Sequence, residues 1–147
     1  MNDQEQPEPQ PPPEPQKVFG LVKEWVNRFE KIVRRKSYTL APMLFHPALV
    51  WFGIESNICG CLEQSVEEEF KQFWAGTLGF TIDWKSAKVV PEGGTIMVVA
   101  PWYAASKIVG APQKRGRITL ILGIFPAGKL LCLHGHMSIN PVTRITT

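Results

Sequence analysis

The stretch Gly116 to Asn140, GRITLILGIFPAGKLLCLHGHMSIN, decides the fold. An apolar-rich run, a Pro126-Ala127-Gly128-Lys129 turn and a second run closing in His134, Gly135, His136, Met137 and Ser138 read as a β-hairpin. Two long strands this apolar need further strands beside them and a helical layer against one face. The upstream sequence offers both.

A chain of 147 residues with 44% hydrophobic side chains is large enough for one domain with a real core. No apolar run reaches the roughly 18 to 20 residues that span a bilayer, so no membrane span is expected. The N-terminal residues are acidic and proline-rich, without a basic n-region or an apolar h-region, which argues against a secretory signal. Cys59, Cys61 and Cys132 are an odd number without framework spacing and fit reduced thiols. A cytoplasmic location is therefore expected.

Residues 1 to 16, MNDQEQPEPQPPPEPQ, contain almost nothing to bury and are expected to form an extended, polyproline-like acidic tail, with residues 17 to 147 forming the domain. Pro11, Pro12 and Pro13 could dock a proline-binding module, but short proline runs are commoner as solubilising segments. All 16 Lys and Arg and nine of the 13 Asp and Glu fall in residues 17 to 147, a formal +7.

From Lys17 to Lys36, Val22, Trp25, Val26, Phe29, Ile32 and Val33 recur at helical spacing, with Lys23, Arg28, Lys31, Arg34, Arg35 and Lys36 on the back. A basic helix of this kind reads as a core helix with a solvated face, because no aromatic-interleaved motif or Cys/His finger points to nucleic acid. Ser37 and Thr39 suit caps for a short helix over Leu40 to Phe45, with Pro42 in its first turn. HPALVWFGI reads as a strand ended by Gly53. Cys61 to Trp74 reads as a third helix burying Leu62, Val66, Phe70, Phe73 and Trp74 and stopping at Gly76, with Glu67, Glu68, Glu69 and Lys71 facing water. Beyond Gly79 four antiparallel strands are expected. The first alternates Phe80, Ile82 and Trp84 with Thr81, Asp83 and Lys85 and continues toward Val90.

The order of elements, the LFHPALVWFG stretch after two helices, and GRITLILG, the tight turn and LHGHMS resemble the nuclear transport factor 2-like superfamily. Within it they are most similar to SnoaL-like domains and to the association domain of calcium/calmodulin-dependent protein kinase II. The resemblance covers about residues 18 to 140. It implies an α+β cone, three helices packed on a curved, mainly antiparallel sheet, with a pocket in the concavity and pairing through the outer sheet face. The same fold hosts isomerases, cyclases, dehydratases, binding modules and oligomerisation domains.

Residue by residue, the resemblance argues against chemistry. Gly135 falls where SnoaL-like cyclases carry a catalytic aspartate, Met137 where the kinase association domain has a pocket arginine, and Gly53 near the carboxylate base of ketosteroid isomerases. The first helix has no tyrosine to polarise a carbonyl. Strand alternation puts Leu131, Leu133, Gly135 and Met137 on one face and Cys132, His134, His136 and Ser138 on the other. With Gly135 facing the pocket, the histidines face away from it, in a dimer-face or core role. Two imidazoles at i and i+2 beside a thiolate could chelate zinc, but a structural site needs four ligands and no carboxylate partner is evident. Cys59 and Cys61 are too close for the usual zinc knuckle.

The reading is a SnoaL-like domain without catalytic residue, metal or cofactor. It binds a small apolar ligand in the cone, assembles as a homodimer or higher homo-oligomer, or does both, and binds no nucleic acid. Its pocket candidates are Trp25, Phe29, Tyr38, Trp51, Trp102, Leu133, Gly135 and Met137. The competing reading is an isomerase, cyclase or lyase using Asp83, His134 or His136. Asp83 qualifies because burial would raise its pKa toward the range of a general acid or base, although alternation places it on the polar side with Thr81 and Lys85.

Overall fold

The structure, a computed structural model, describes residues 15 to 141. The acidic tail expected over residues 1 to 16 lies outside the described residues as far as Glu14, and so do residues 142 to 147. Pro15 and Gln16 already belong to the first helix.

Helix α1, Pro15–Arg35, opens on a proline, which costs nothing where the N–H has no intrahelical acceptor. Val22, Trp25, Val26, Phe29 and Val33 are buried along one face. The back carries two i,i+4 ion pairs, Arg28–Glu24 and Arg34–Glu30. Lys36 ends the helix in the left-handed region at φ 53, with Ser37 N–H donating to the Ile32 carbonyl. A 3₁₀ segment, Tyr38–Met43, replaces the expected α-turn over Leu40 to Phe45. Pro42 supplies no N–H, and the chain settles for i+3 bonds such as Leu44 N–H to the Ala41 carbonyl. Ser37 makes no side-chain cap there.

Strand β1, Phe45–Phe52, is followed by a two-residue strand β2, Ile58–Cys59. The third expected helix is three pieces: α2, Leu62–Ser65, a π-turn, Val66–Phe70, and α3, Lys71–Ala75, stopping at Gly76 as expected. Cys61 caps it, its sulfur accepting from Gln64 N–H. Glu69 corrects the expected polar face: it is 1% exposed, whereas Glu67 and Lys71 pair in solvent.

The strand expected from Phe80 toward Val90 is two, β3, Thr77–Ile82, and β4, Lys88–Glu92, separated by a 3₁₀ turn, Trp84–Ser86. Both pair with β5, Thr95–Ser106, and the gap lies opposite Ala100 and Pro101. A proline with no N–H cannot carry a ladder across that point. Asp83 N–H bonds the Pro101 carbonyl and the chain turns away. β4 and β5 are joined by Gly93 and Gly94, with Gly93 at φ 60, where a side chain would be strained. β6, Lys114–Phe125, and β7, Lys129–Ile139, form the long hairpin, turning through Ala127 and Gly128 at φ 67 and 71. The order is β2-β1-β7-β6-β5-β3, with β4 also on β5, and the β1–β7 pair is parallel.

The register of β6 and β7 shifts between Ile121 and Leu122, leaving Leu133 as an extra residue in β7. This bulge corrects the expected alternation. Leu130, Cys132, Gly135 and Met137 face the core, while Leu133 lies over Gly123 on the opposite side. A strict period of two cannot anticipate that reset. Helices and 3₁₀ segments cover the inner face, and the core joins Phe29, Phe45, Phe70 and Trp74 to Ile96, Leu120 and Leu122 of the sheet. Among the described residues no helix is long and apolar enough to cross a membrane.

Candidate functional site

The family resemblance implies a pocket on the concave side of the sheet around Gly135, which is paired with Trp51 of β1 and Leu120 of β6. A Cβ built on Gly135 would be driven into the Trp51 ring. The glycine is there because an indole occupies the space above it. Trp51 is 0% exposed and packs edge-on against Phe45 at 5.8 Å and Phe70 at 5.1 Å between centroids. Phe70 stacks on Trp74 at 4.9 Å, and Trp74 on Tyr38 at 5.3 Å. Trp25 and Phe29 close the aromatic cluster from α1, and the Trp25 indole N–H donates to the Leu44 carbonyl at 3.1 Å.

The pocket candidates are thus spread over several environments. Trp25, Phe29, Trp51, Trp102 and Met137 are core residues, and Trp102 donates to the Ser138 carbonyl at 3.2 Å. Tyr38 is half-buried beside a surface cleft lined also by Pro42, Pro47, Leu62 and Val66, and burial raises its phenol pKa. Leu133 lies on the other side of the sheet. One polar atom stands out in the interior: Trp51 Nε1 is buried with no hydrogen-bond partner among the described residues. An orphaned donor of this kind costs about 1 to 3 kcal/mol.

Gly53, the other position matched to a family carboxylate, is occupied by a carboxylate that comes from elsewhere. A Cβ on Gly53 would collide with the Glu69 carboxyl group. Glu69 accepts from the backbone N–H groups of Ile54, Glu55 and Ser56 at 2.6 to 2.9 Å and from the Ser56 hydroxyl at 3.1 Å. With four donors on a buried carboxylate, one on Oε1 and three on Oε2, it ties the β1–β2 loop to the helix. The sequence did carry a signal for it. Glu69 follows Leu62 by seven residues, which puts the two on one helix face.

His134 and His136 lie on the outer side of β7. His134 Nδ1 is 2.9 Å from the Val50 carbonyl, and Phe52 meets both imidazoles edge-on at 5.7 and 5.8 Å. Cys132 turns inward, its sulfur donating to the His134 carbonyl, so the bulge separates the thiol from the imidazoles. Burial pushes the Cys132 thiol pKa far above its ordinary value. Among the described residues no cluster of three His, Cys, Asp or Glu is arranged to hold a metal.

Asp83 is in neither place. It lines a crevice of about 260 Å³ at the sheet edge with Tyr103, Gln113, Arg115 and Asn140, floored by Trp102 and Gly116. Gln113 Oε1 accepts from Arg115 Nε at 3.1 Å, and Asn140 N–H bonds the Arg115 carbonyl at 2.7 Å. Only the three-dimensional pairing of β5 with β6 brings Arg115 and Tyr103 side by side, so sequence spacing could not find this group.

By sequence the chain matches no protein-family model and no curated protein. Solved structures match it by fold. A nuclear transport factor 2-like superfamily protein from Salmonella enterica superposes with a TM-score of 0.73 at 17% identity, covering 90% of this chain and 97% of that one. A protein of unassigned function with a cystatin-like fold from Caulobacter vibrioides gives 0.71 at 13% identity, over 85% and 91%. A nuclear transport factor 2-like protein from Cytophaga hutchinsonii gives 0.67 at 8% identity, over 87% and 100%. The architecture is the nuclear transport factor 2-like cone, and at these identities the likeness is one of fold alone.

Proposed function

We propose that this nuclear transport factor 2-like fold serves as a noncatalytic assembly module that forms a homodimer through the outer face of its sheet. The observation that carries the reading is the composition of that face. Val50 and Phe52 are 37% and 38% exposed, beside Met97, Ile121, Leu131 and Leu133 on neighbouring strands. Among the described residues no helix lies on this side. These outward apolar side chains, with His134 and His136 among them, form a patch that a twofold copy of the same face would cover. Ligand storage in the cone has less support, because aromatic rings fill the places where a ligand would sit.

The test is a charge placed on the face. Phe52→Glu and Met97→Glu, made together, remove no core residue and should convert a dimer to a folded monomer, read by sedimentation and by an unchanged far-ultraviolet circular dichroism spectrum. A variant that sediments with the wild type would sink the proposal. A second reading, an enzyme built on Asp83, draws on the crevice it shares with Tyr103 and Arg115. That reading requires a substrate turned over by the wild type and not by Asp83→Asn.

A further inference from the structure

A furrow runs beside the C-terminal half of α1, and its two walls differ in chemistry. One wall is a stripe of cations, Arg28, Lys31 and Arg35, at spacings of three and four residues. The other is the 3₁₀ segment, where Leu40 and Met43 are 43% and 55% exposed. Three residues apart, they stack on one side of a 3₁₀ turn. Ile32 and Leu44 form the floor of a cavity of about 270 Å³. A second cavity of about 310 Å³ shares Arg28, Met43 and Leu44 with the first and ends at Lys129 beside the β6–β7 turn. Arg28 is paired with Glu24, but none of the ion pairs among the described residues takes up Lys31 or Arg35. A merely solvated helix face needs no apolar wall opposite its charges. Together the walls fit an acidic segment that also carries apolar groups.

We propose that the furrow is the docking site of this chain's own residues 1 to 14. The charges are complementary: the segment holds Asp3, Glu5 and Glu8, with Glu14 directly before the start of α1, and no Lys or Arg. Its five prolines supply ring faces for Leu40 and Met43. The reach is sufficient. Arg35 lies 20 residues along α1 from Pro15, about 30 Å at 1.5 Å per residue. Glu5 lies ten residues before Pro15 and can extend about 33 to 36 Å, past Lys31 at about 24 Å along α1, which leaves length for the reversal at Pro15. The tether keeps the segment at an effective concentration of order millimolar, so weak contacts suffice. The cations from Arg28 to Arg35 stretch over about 10 Å. A row of carboxylates matches that length, whereas the single head group of a fatty-acid-like anion does not. This inference is independent of the dimer.

The test uses the full chain and a zero-length carbodiimide, which joins a carboxylate to an amine only where the two touch. In low salt, peptide mass spectrometry should find Lys31 joined to Glu5 or Glu8 at least about fivefold more often than Lys85 or Lys88, which lie beyond the furrow. The preference should be lost in 1 M salt, where the screening length falls to about 3 Å. Reversing the exposed Arg28 and Arg35 to Glu while keeping Lys31 should also remove it. Mixing isotopically labelled with unlabelled chains separates bonds within one chain from bonds between two. Coupling spread evenly over the lysines, coupling indifferent to salt, or coupling only between chains would each overturn the proposal.

Discussion

Gly135→Ala tests whether the cone is closed by Trp51. The added methyl cannot be seated while the indole stays where it is, because the ring is fully buried and held between Phe45 and Phe70. Forcing one extra methyl into a packed core costs about 1 to 3 kcal/mol. Replacing a glycine by alanine also restricts the unfolded chain, a gain of about 0.4 to 1 kcal/mol. The clash should win, leaving a net loss of about 1.3 kcal/mol. At roughly 2 to 4 °C per kcal/mol for a domain of this size, the melting temperature should fall by about 3 to 5 °C. Urea titration of a double-mutant cycle isolates the cause. In a Trp51→Phe background, where the outer ring of the indole is gone, Gly135→Ala should lose at least about 1 kcal/mol of its penalty. A cost below about 0.5 kcal/mol, or the same cost in both backgrounds, would refute the reasoning and leave room for a ligand above Gly135.

Glu69→Ala should be severe, at least about 3 kcal/mol, since it strands the N–H groups of Ile54, Glu55 and Ser56 at once; a variant with wild-type urea stability would show that water replaces the carboxylate. Of the three thiols, only the half-buried Cys61 should react with an aromatic disulfide reagent in the native protein, because Cys59 and Cys132 are fully buried and burial holds the Cys132 thiol protonated. Two or three thiols titrating without denaturant would contradict that packing. Burial raises the carboxyl pKa of Glu30, with the Arg34 cation opposing. A carboxyl whose folded pKa exceeds its unfolded one costs stability while charged, and the cost lifts as pH falls through the raised value. Wild type should therefore gain on Glu30→Gln as the pH of the urea titration is lowered from 7 to about 4.5; a relative loss would reverse the sign.

How far the sequence could be read follows from which signals are local. The amphipathic period of α1, the Pro126-Ala127-Gly128 turn and the stop at Gly76 are written in neighbouring residues, and each falls where those residues place it. The bulge at Leu133 is different. It depends on how β6 and β7 settle against each other, and it moves Leu133 out and Cys132 in against the alternation. Pro101 breaks a strand 18 residues upstream of it, an effect visible only once β3 and β5 are paired. Gly135 and Gly53 were legible as positions lacking a functional side chain. What takes the place of each, Trp51 in one case and Glu69 in the other, is a tertiary contact. Residue type misled at Glu69, where charge argued for water and helix phase argued for the core. Phase was the better guide, because three backbone donors waited there.

The central claim, assembly through the outer sheet face, is tested most directly by the mass of the untagged chain in solution. Light scattering across a micromolar concentration series should give about twice the 16.5 kDa of one chain, falling toward one chain only on dilution. A mass of 16.5 kDa throughout the series would contradict the account, because the apolar face of Val50, Phe52 and Met97 would then stand in water without a partner copy.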